Sequence, residues 1–502
     1  MLKTAETCKV FRKIVGDEHK YLWNPLSNVI VVARIIGPVD ETGLKNAIRK
    51  AKEMHPLVSA RAVYDTAGTG WFCCDVDDLP LRVTEWRHED QWKEEMQFEN
   101  KVPLKIFEGP LIRFVLIRSE KVSDLMVYCQ HAICDGRALV YLIRNILTFM
   151  ANPEKEAEPL PLPPLLSSEG LAASGLLKGS FKKTLIKSVI KKRNSGWAKR
   201  KTDFDQEDFE NIHQAYWQKH IYRVETLELT EEQTERLPAV CRQHGVTVTS
   251  ALTAAFLAAH LDVGGPFARE KRKVALPVDL RSRMREPTGD VFCYYISRIL
   301  IDYGYNPRES FWTNAKVIHS LVGSAMDKTN LFEAAVMLES MDPTLINAMS
   351  SFGALAETVP KGYSRYEKLS AFAADKKNQA VILASRFLNM SPGLVLTNLG
   401  KPAIPEVFGE MTVDRMFFAP STDKRFPMVI GSLTAGGKLV ITMNYVDETD
   451  KTSNSDRMKK VMLKAYEFIK LMCTPCQGQF GFLTFQSNRF RAILNMLYHK
   501  GG

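Results

Sequence analysis

The stretch Asp124-Leu125-Met126-Val127-Tyr128-Cys129-Gln130-His131-Ala132-Ile133-Cys134-Asp135-Gly136-Arg137 decides how the rest of the chain is read. From Leu125 to Cys129 both alternate faces are apolar, which predicts a strand buried on both sides. After Gly136, the run Arg137-Ala138-Leu139-Val140-Tyr141-Leu142-Ile143 takes up helical spacing. A strand therefore delivers His131 to a loop, and Asp135 and Gly136 turn that loop into a helix. Histidine is the side chain suited to moving a proton near neutral pH. Asp135 can hold the loop through its carboxylate, and Gly136 permits a backbone bend that a Cβ resists. Taken alone, these residues leave a hydrogen-bonded structural histidine as the commoner reading.

Working outward, the flanks alternate between strand and helix signals. Asn28 to Ile36 is a β-branched run stopped at Gly37-Pro38, hence a strand. Leu44, Ala47, Ile48 and Ala51 repeat at helical intervals, and His55-Pro56-Leu57 ends that helix. At that helix C-terminus His55 is expected as a terminator favoured by the partial negative charge there, not as a catalyst. Gly109-Pro110-Leu111 leads into another strand. Prolines 159, 161, 163 and 164 exclude regular structure and mark a linker. Lysines and arginines then crowd between Lys178 and Lys201, where a solvated, mobile crossover is expected ahead of a membrane-surface helix, since basic and apolar positions do not segregate. Beyond it, Ile221–Leu229 reads as a strand, Thr230 as a helix cap, and Val248–Leu261 as a buried helix. Val429–Ser432 and Lys438–Tyr445 form a hairpin around Gly436-Gly437, and residues 459–472 a closing helix.

Composition sets the outer bounds. The 502 residues suggest two lobes; 45% hydrophobic and 25% charged content fits a globular enzyme. No apolar run reaches the ~18 residues of a membrane span, and Met1–Cys8 lacks a secretory apolar core. Nine cysteines form no disulfide pattern, so reduced thiols and a cytoplasmic location are expected. Cys473-Thr474-Pro475-Cys476 has no second pair to complete a zinc site. The net charge of +10, from 67 basic and 57 acidic residues, can serve nucleic acid, acidic lipid or a phosphate-bearing cofactor.

His131-Ala132-Ile133-Cys134-Asp135-Gly136 resembles the HxxxDG signature of the chloramphenicol acetyltransferase-like superfamily. That group holds alcohol acetyltransferases, plant BAHD acyltransferases, polyketide-associated acyltransferases and peptide-synthetase condensation domains. The order of further segments resembles it too: His55-Pro56-Leu57, Gly109-Pro110-Leu111, Asp279-Leu280-Arg281-Ser282-Arg283 before Gly289-Asp290, and Thr397-Asn398-Leu399-Gly400. There are departures. Gln130 stands where condensation domains carry a first histidine, Asp290 where BAHD enzymes carry asparagine, and the DFGWG segment is absent. The resemblance implies an α/β (α+β) fold of two lobes, each a mixed sheet with flanking helices, and an active-site tunnel between them. Residues 1–165 would form the N-terminal lobe, 166–220 a basic crossover, and 221–502 the C-terminal lobe with its tail.

Function follows as an implication of the same resemblance. His131 would act as general base for a hydroxyl or amine attacking a thioester, with acyl-CoA as co-substrate and no bound metal, flavin or nucleotide cofactor. Asp135 would hold the site by pairing with Arg281, with Arg283 as second choice; Asn398 and Ser432 are candidate oxyanion or tunnel residues. A carrier-protein-bound donor and a catalytically silent binder of the same fold are the competing classes. No nucleic acid partner is expected, and membrane contact at most peripheral.

Overall fold

The protein is described by a computed structural model over residues 10–66, 68–161, 164–173, 182–284, 289–328, 331–388, 391–449 and 453–473. The first half runs β1 (Val10–Lys13), α1 (Gly16–Leu22), β2 (Asn28–Ile36), α2 (Glu41–Met54), β3 (Ala60–Tyr64), β4 (Gly70–Cys74), β5 (Leu81–Glu85), α3 (Gln91–Lys101), β6 (Ile112–Arg118), β7 (Val122–Gln130) and α4 (Gly136–Ala151). Helices α5 (Ser168–Ala173), α6 (Lys182–Ala198) and α7 (Gln206–Lys219) cross over to β8 (His220–Glu228), α8 (Glu231–Gln243), α9 (Val248–Gly264), β9 (Lys273–Asp279) and β10 (Ile296–Asp302). After a helical region over 311–388 come β11 (Leu394–Asn398), β12 (Val407–Phe408), β13 (Met411–Ala419), β14 (Met428–Ala435) and β15 (Lys438–Glu448), and a helix over Ser453–Cys473.

Two six-stranded sheets carry the molecule, ordered β12-β13-β2-β7-β6-β5 and β10-β9-β11-β14-β15-β8; β1, β4 and β3 make a smaller third. Both large sheets are mixed, with β5 parallel to β6 in one and β11 parallel to β9 and β14 in the other. The expected two-sheet α/β architecture is therefore present. Its strongest sequence signal, Leu125–Cys129, lies in β7 between β2 and β6, and every residue of that run is buried. Register places Arg34 of β2 opposite Asp124 of β7, where the guanidinium donates to both carboxylate oxygens at 2.9 and 3.0 Å. Burial outweighs that pairing at the carboxyl and lifts Asp124 to about 6.

The chain does not divide cleanly at residue 220. β12 and β13 come from the C-terminal half yet complete the N-terminal sheet, β13 pairing antiparallel with β2 from Thr412↔Ile36 to Ala419↔Ile30. Met416, Phe417, Phe418 and Ala419 are buried there, so the strand is held by apolar packing as well as its ladder. It is also tied to the second sheet: Thr442 Oγ1 of β15 donates to the Phe418 carbonyl, and the Tyr222 hydroxyl of β8 donates to that of Pro420 at 2.6 Å. Residues 221–502 thus contribute strands to both large sheets, and the edge of β2 is satisfied by a returning strand.

The crossover also differs from expectation. Lys178–Phe181 lie outside the described residues, but the rest of the basic stretch is largely the packed helix α6. Ile190 and Trp197 are buried, Trp197 Nε1 donates to Thr344 Oγ1 at 2.8 Å, and Arg193 Nη1 donates to Gln379 Oε1 at 2.7 Å. Two buried apolar side chains and these bonds fix a segment whose charge alone suggested a mobile one. Elsewhere local signals hold. Thr230 caps α8 by accepting from the Gln233 N–H, α9 is buried along most of its length, and Gly436 and Gly437 turn β14 into β15 at φ of 56° and 73°. Cys73 is disulfide-bonded, against the expectation of reduced thiols throughout, whereas Cys129, Cys134 and Cys293 are free and buried. Cys473 ends the closing helix; Cys476 and the rest of the tail lie outside the described residues. No single helix among the described residues is long and apolar enough to cross a membrane.

Candidate active site

β7 ends at Gln130, and the next residue, His131, begins a tight turn whose last residue, Asp135, caps α4. The His131 backbone N–H donates to the Ser27 carbonyl at 2.8 Å, which ties the turn to the entry of β2. Its ring is bound on one side only. Nδ1–H donates to the Cys134 carbonyl at 2.7 Å, and Nε2 has no hydrogen-bond partner among the described residues. This fixes the neutral tautomer with a lone pair on Nε2. Burial pushes the His131 pKa down from 6.5, a pull that the Cys134 carbonyl and Asp135 only partly oppose. The residue keeps 9% of its surface exposed. A neutral, half-anchored imidazole is suited to accept a proton at Nε2.

Asp135 is the fixed point beneath it. One carboxylate oxygen accepts from the Ala138 N–H at 2.9 Å, capping α4. The other accepts from Arg281 Nη1 at 2.8 Å and from the Tyr295 N–H at 2.9 Å. Both Asp135 and Arg281 are buried, so the predicted pair is formed. Burial works against the Arg281 charge, but Asp135, Cys293 and Asp279 hold its pKa above the ordinary value. Arg281 also donates to the Cys293 carbonyl at 3.1 Å. Arg283, the second choice, is exposed two residues on and does not reach Asp135.

Gly136 serves close approach instead of a special backbone angle. A Cβ there would lie 2.7 Å from the Phe418 ring of β13 and 3.1 Å from Leu399 Cδ1. The N-terminus of α4 thus rests directly on the turn that follows β11. Further polar ties join the halves around it: Arg137 with Asp279 at 2.5 Å and Arg144 with Asp290 at 2.7 Å. Asp290 therefore has a definite place despite its departure from the family pattern. His55 is a tie of the same kind. Its Nε2 lies 2.8 Å from the Asn145 amide and its Nδ1 accepts from the Phe292 N–H at 3.3 Å. The charge expected from the helix terminus does not prevail, because burial pushes His55 down to about 4.

Asn398 and Ser432 are brought side by side in the parallel register of β11 and β14. The Asn398 amide is already engaged: Nδ2 donates to Thr249 Oγ1 at 3.2 Å and Oδ1 accepts from the Gly400 N–H at 2.9 Å. These bonds hold the turn that meets Gly136 and commit one of the two Nδ2 hydrogens. Ser432 Oγ is buried without a hydrogen-bond partner among the described residues. Asn398 and Gly400 also line a cavity of about 460 Å³ with α8 and the β14–β15 turn. Cys134 and Cys293 are poor nucleophiles, since burial raises both thiols, Cys293 to about 12.

Two residues that the sequence did not single out pack their rings against the imidazole. Tyr21 of α1 lies 4.5 Å from the His131 ring centroid at 34°, and Tyr294 lies 5.4 Å away, edge-on at 74°. Burial, then Asp17 and Tyr21, keep the Tyr294 hydroxyl protonated well above its usual range. A tyrosine directly after Gly-Asp-Val-Phe-Cys was the only trace of this in the sequence.

With this geometry, comparison with solved structures is informative over nearly the whole chain. Polyketide synthase associated protein 5 from Mycobacterium tuberculosis superposes with a TM-score of 0.56 at 15% identity, over 94% of this chain and 99% of that one. The chain shares the fold of that protein. The first condensation domain of the CDA synthetase gives 0.57 at 14% identity, covering 93% and 97%. The trichothecene 15-O-acetyltransferase of Fusarium sporotrichioides gives 0.57 at 10%, covering 91% and 95%. By sequence, residues 218–291 match the family described as phthiocerol/phthiodiolone dimycocerosyl transferase C-terminus. A stretch of 143 residues is 29% identical to a linear gramicidin synthase of Brevibacillus parabrevis, covering 27% of this chain and only 3% of that protein.

Proposed function

We propose that the protein moves an acyl group from a thioester donor to a hydroxyl or amine acceptor, with His131 as general base. The observation that carries this reading is the half-anchored imidazole: Nδ1–H is held by the Cys134 carbonyl and Nε2 is left bare. Nε2 takes the acceptor proton as the acceptor oxygen or nitrogen attacks the thioester carbonyl. The tetrahedral intermediate then expels the thiolate, which recovers that proton from the imidazolium. Asp135 stays outside the reaction and, through Arg281 and the α4 cap, fixes the loop that carries His131. Acyl-CoA is the proposed donor, its phosphates suiting a chain of net charge +10.

A carrier-protein-bound donor is the second reading, supported by the similarity to a condensation domain and to a stretch of a peptide synthetase. Purified protein incubated with acyl-CoA thioesters of increasing length and a panel of alcohols and amines, with free thiol followed, tests the first. Acylated carrier protein replaces acyl-CoA for the second. His131→Ala should lower transfer by about 10²–10⁴ with little change in stability. Retention of most activity by that variant would remove His131 as the base.

A further inference from the structure

Tyr21, Tyr294 and His131 form a closed triangle of rings. The two phenols are 5.4 Å apart at 52°, while each packs against the imidazole. Tyr21 comes from α1 in the first half of the chain. Tyr294 comes from the non-strand segment between Gly289-Asp290 and β10, in the second half. The two therefore meet across the seam between the halves. Tyr294 has a second side: it borders a cavity of about 20 Å³ lined also by Arg12, Asp17, Glu18, Pro164 and Leu165. That space holds about one water molecule, too little for a substrate as it stands. The Tyr294 ring thus borders this cavity and also packs against the imidazole.

The cavity's charge selects what could use this route. Glu18 is paired with Arg12 at 2.6 Å, so those two charges offset each other. Asp17 remains on the lining, with Lys20, one-third exposed, 3.6 Å away. With Arg12 on Glu18 and Lys20 beside Asp17, the charges offset, so a neutral acceptor passes without an electrostatic penalty.

We propose that Tyr21 and Tyr294 form a gate on the acceptor's route to His131, and that Tyr294 sets the bulk of the alcohol or amine admitted. This rests on the acyltransferase reading, and the test separates the two. Diethyl pyrocarbonate modification of His131, mapped by peptide mass spectrometry on the full chain, reports access without turnover. Tyr294→Ala should speed it about tenfold, and Tyr294→Phe should leave it unchanged. In parallel, kcat/KM is measured for acceptors of graded bulk at one fixed donor. Tyr294→Ala should raise the bulky-to-small ratio about tenfold, the size of discrimination that a pocket wall supplies. Unchanged access to His131 in Tyr294→Ala, with circular dichroism showing a folded protein, overturns the gate. So does an unchanged bulk ratio in an active variant. Faster modification without transfer to any acceptor by either protein supports the gate and counts against the acyltransferase reading instead.

Discussion

The Asp135–Arg281 pair should behave as a coupled unit whose two ends are unequal. Asp135→Ala removes three bonds at once: the cap on Ala138, the acceptor for Tyr295 N–H and the partner of Arg281. The lost cap costs about 1 kcal/mol and the buried, stranded N–H about 1–3 kcal/mol. The guanidinium left unpaired brings the total to about 5 kcal/mol, within the range for breaking a buried pair from one side. Arg281→Ala should cost less, about 2–3 kcal/mol, because Asp135 keeps two N–H donors and sits at a helix N-terminus. The double variant removes an interaction that each single has already broken, so the sum overstates its cost by a coupling of about 2–3 kcal/mol. Urea unfolding, followed through the buried Trp23, Trp92 and Trp197, measures all four proteins. Costs that add to within about 0.5 kcal/mol would show that the two charges do not stabilise each other.

Three further outcomes follow from the site. Because burial lowers the His131 pKa, the acid limb of kcat/KM should fall below pH 6.5; a limb at or above that value in a pH profile contradicts the buried neutral base. His55 titrates at about 4 when folded against 6.5 when unfolded, so it has no effect above pH 6.5 and destabilises progressively as pH falls toward 4. The loss is on the order of 3 kcal/mol at about 1.4 kcal/mol per unit, and His55→Gln should flatten that part of the stability–pH curve measured by urea midpoints. Gly136→Ala should cost about 1–3 kcal/mol by driving a methyl into the Phe418 ring, and Phe418→Leu in the same chain should restore part of it in thermal unfolding.

The elements around His131 were legible because each signal is local. The continuous apolar run Leu125–Cys129, the turn at Asp135-Gly136 and helical spacing after it need no distant partner to be read. The α9 helix and the Gly436-Gly437 hairpin were legible for the same reason. Arg281 was found only through resemblance to known acyltransferases; nothing in its own neighbourhood distinguishes it from Arg283. What escaped is long-range. Met411–Ala419 ends in a continuous apolar run, Met416–Ala419, and no feature within it says that its ladder belongs to β2. Tyr21 and Tyr294 are 273 positions apart in numbering and acquire meaning only when α1 and the 291–295 segment meet at the imidazole. His55 was misjudged because a helix terminus favours its charge while burial, invisible in the sequence, disfavours it more strongly.

The return of β13 to the first sheet has a bearing on how the protein is made. During synthesis β2 waits with an open edge until residue 419 has left the ribosome, long after its own helices and β7 are available. The first lobe therefore cannot reach its final form as a nascent fragment, and an exposed β-branched edge of nine residues invites pairing with other chains in the interval. Splitting the chain at the crossover for separate expression would make that interval permanent.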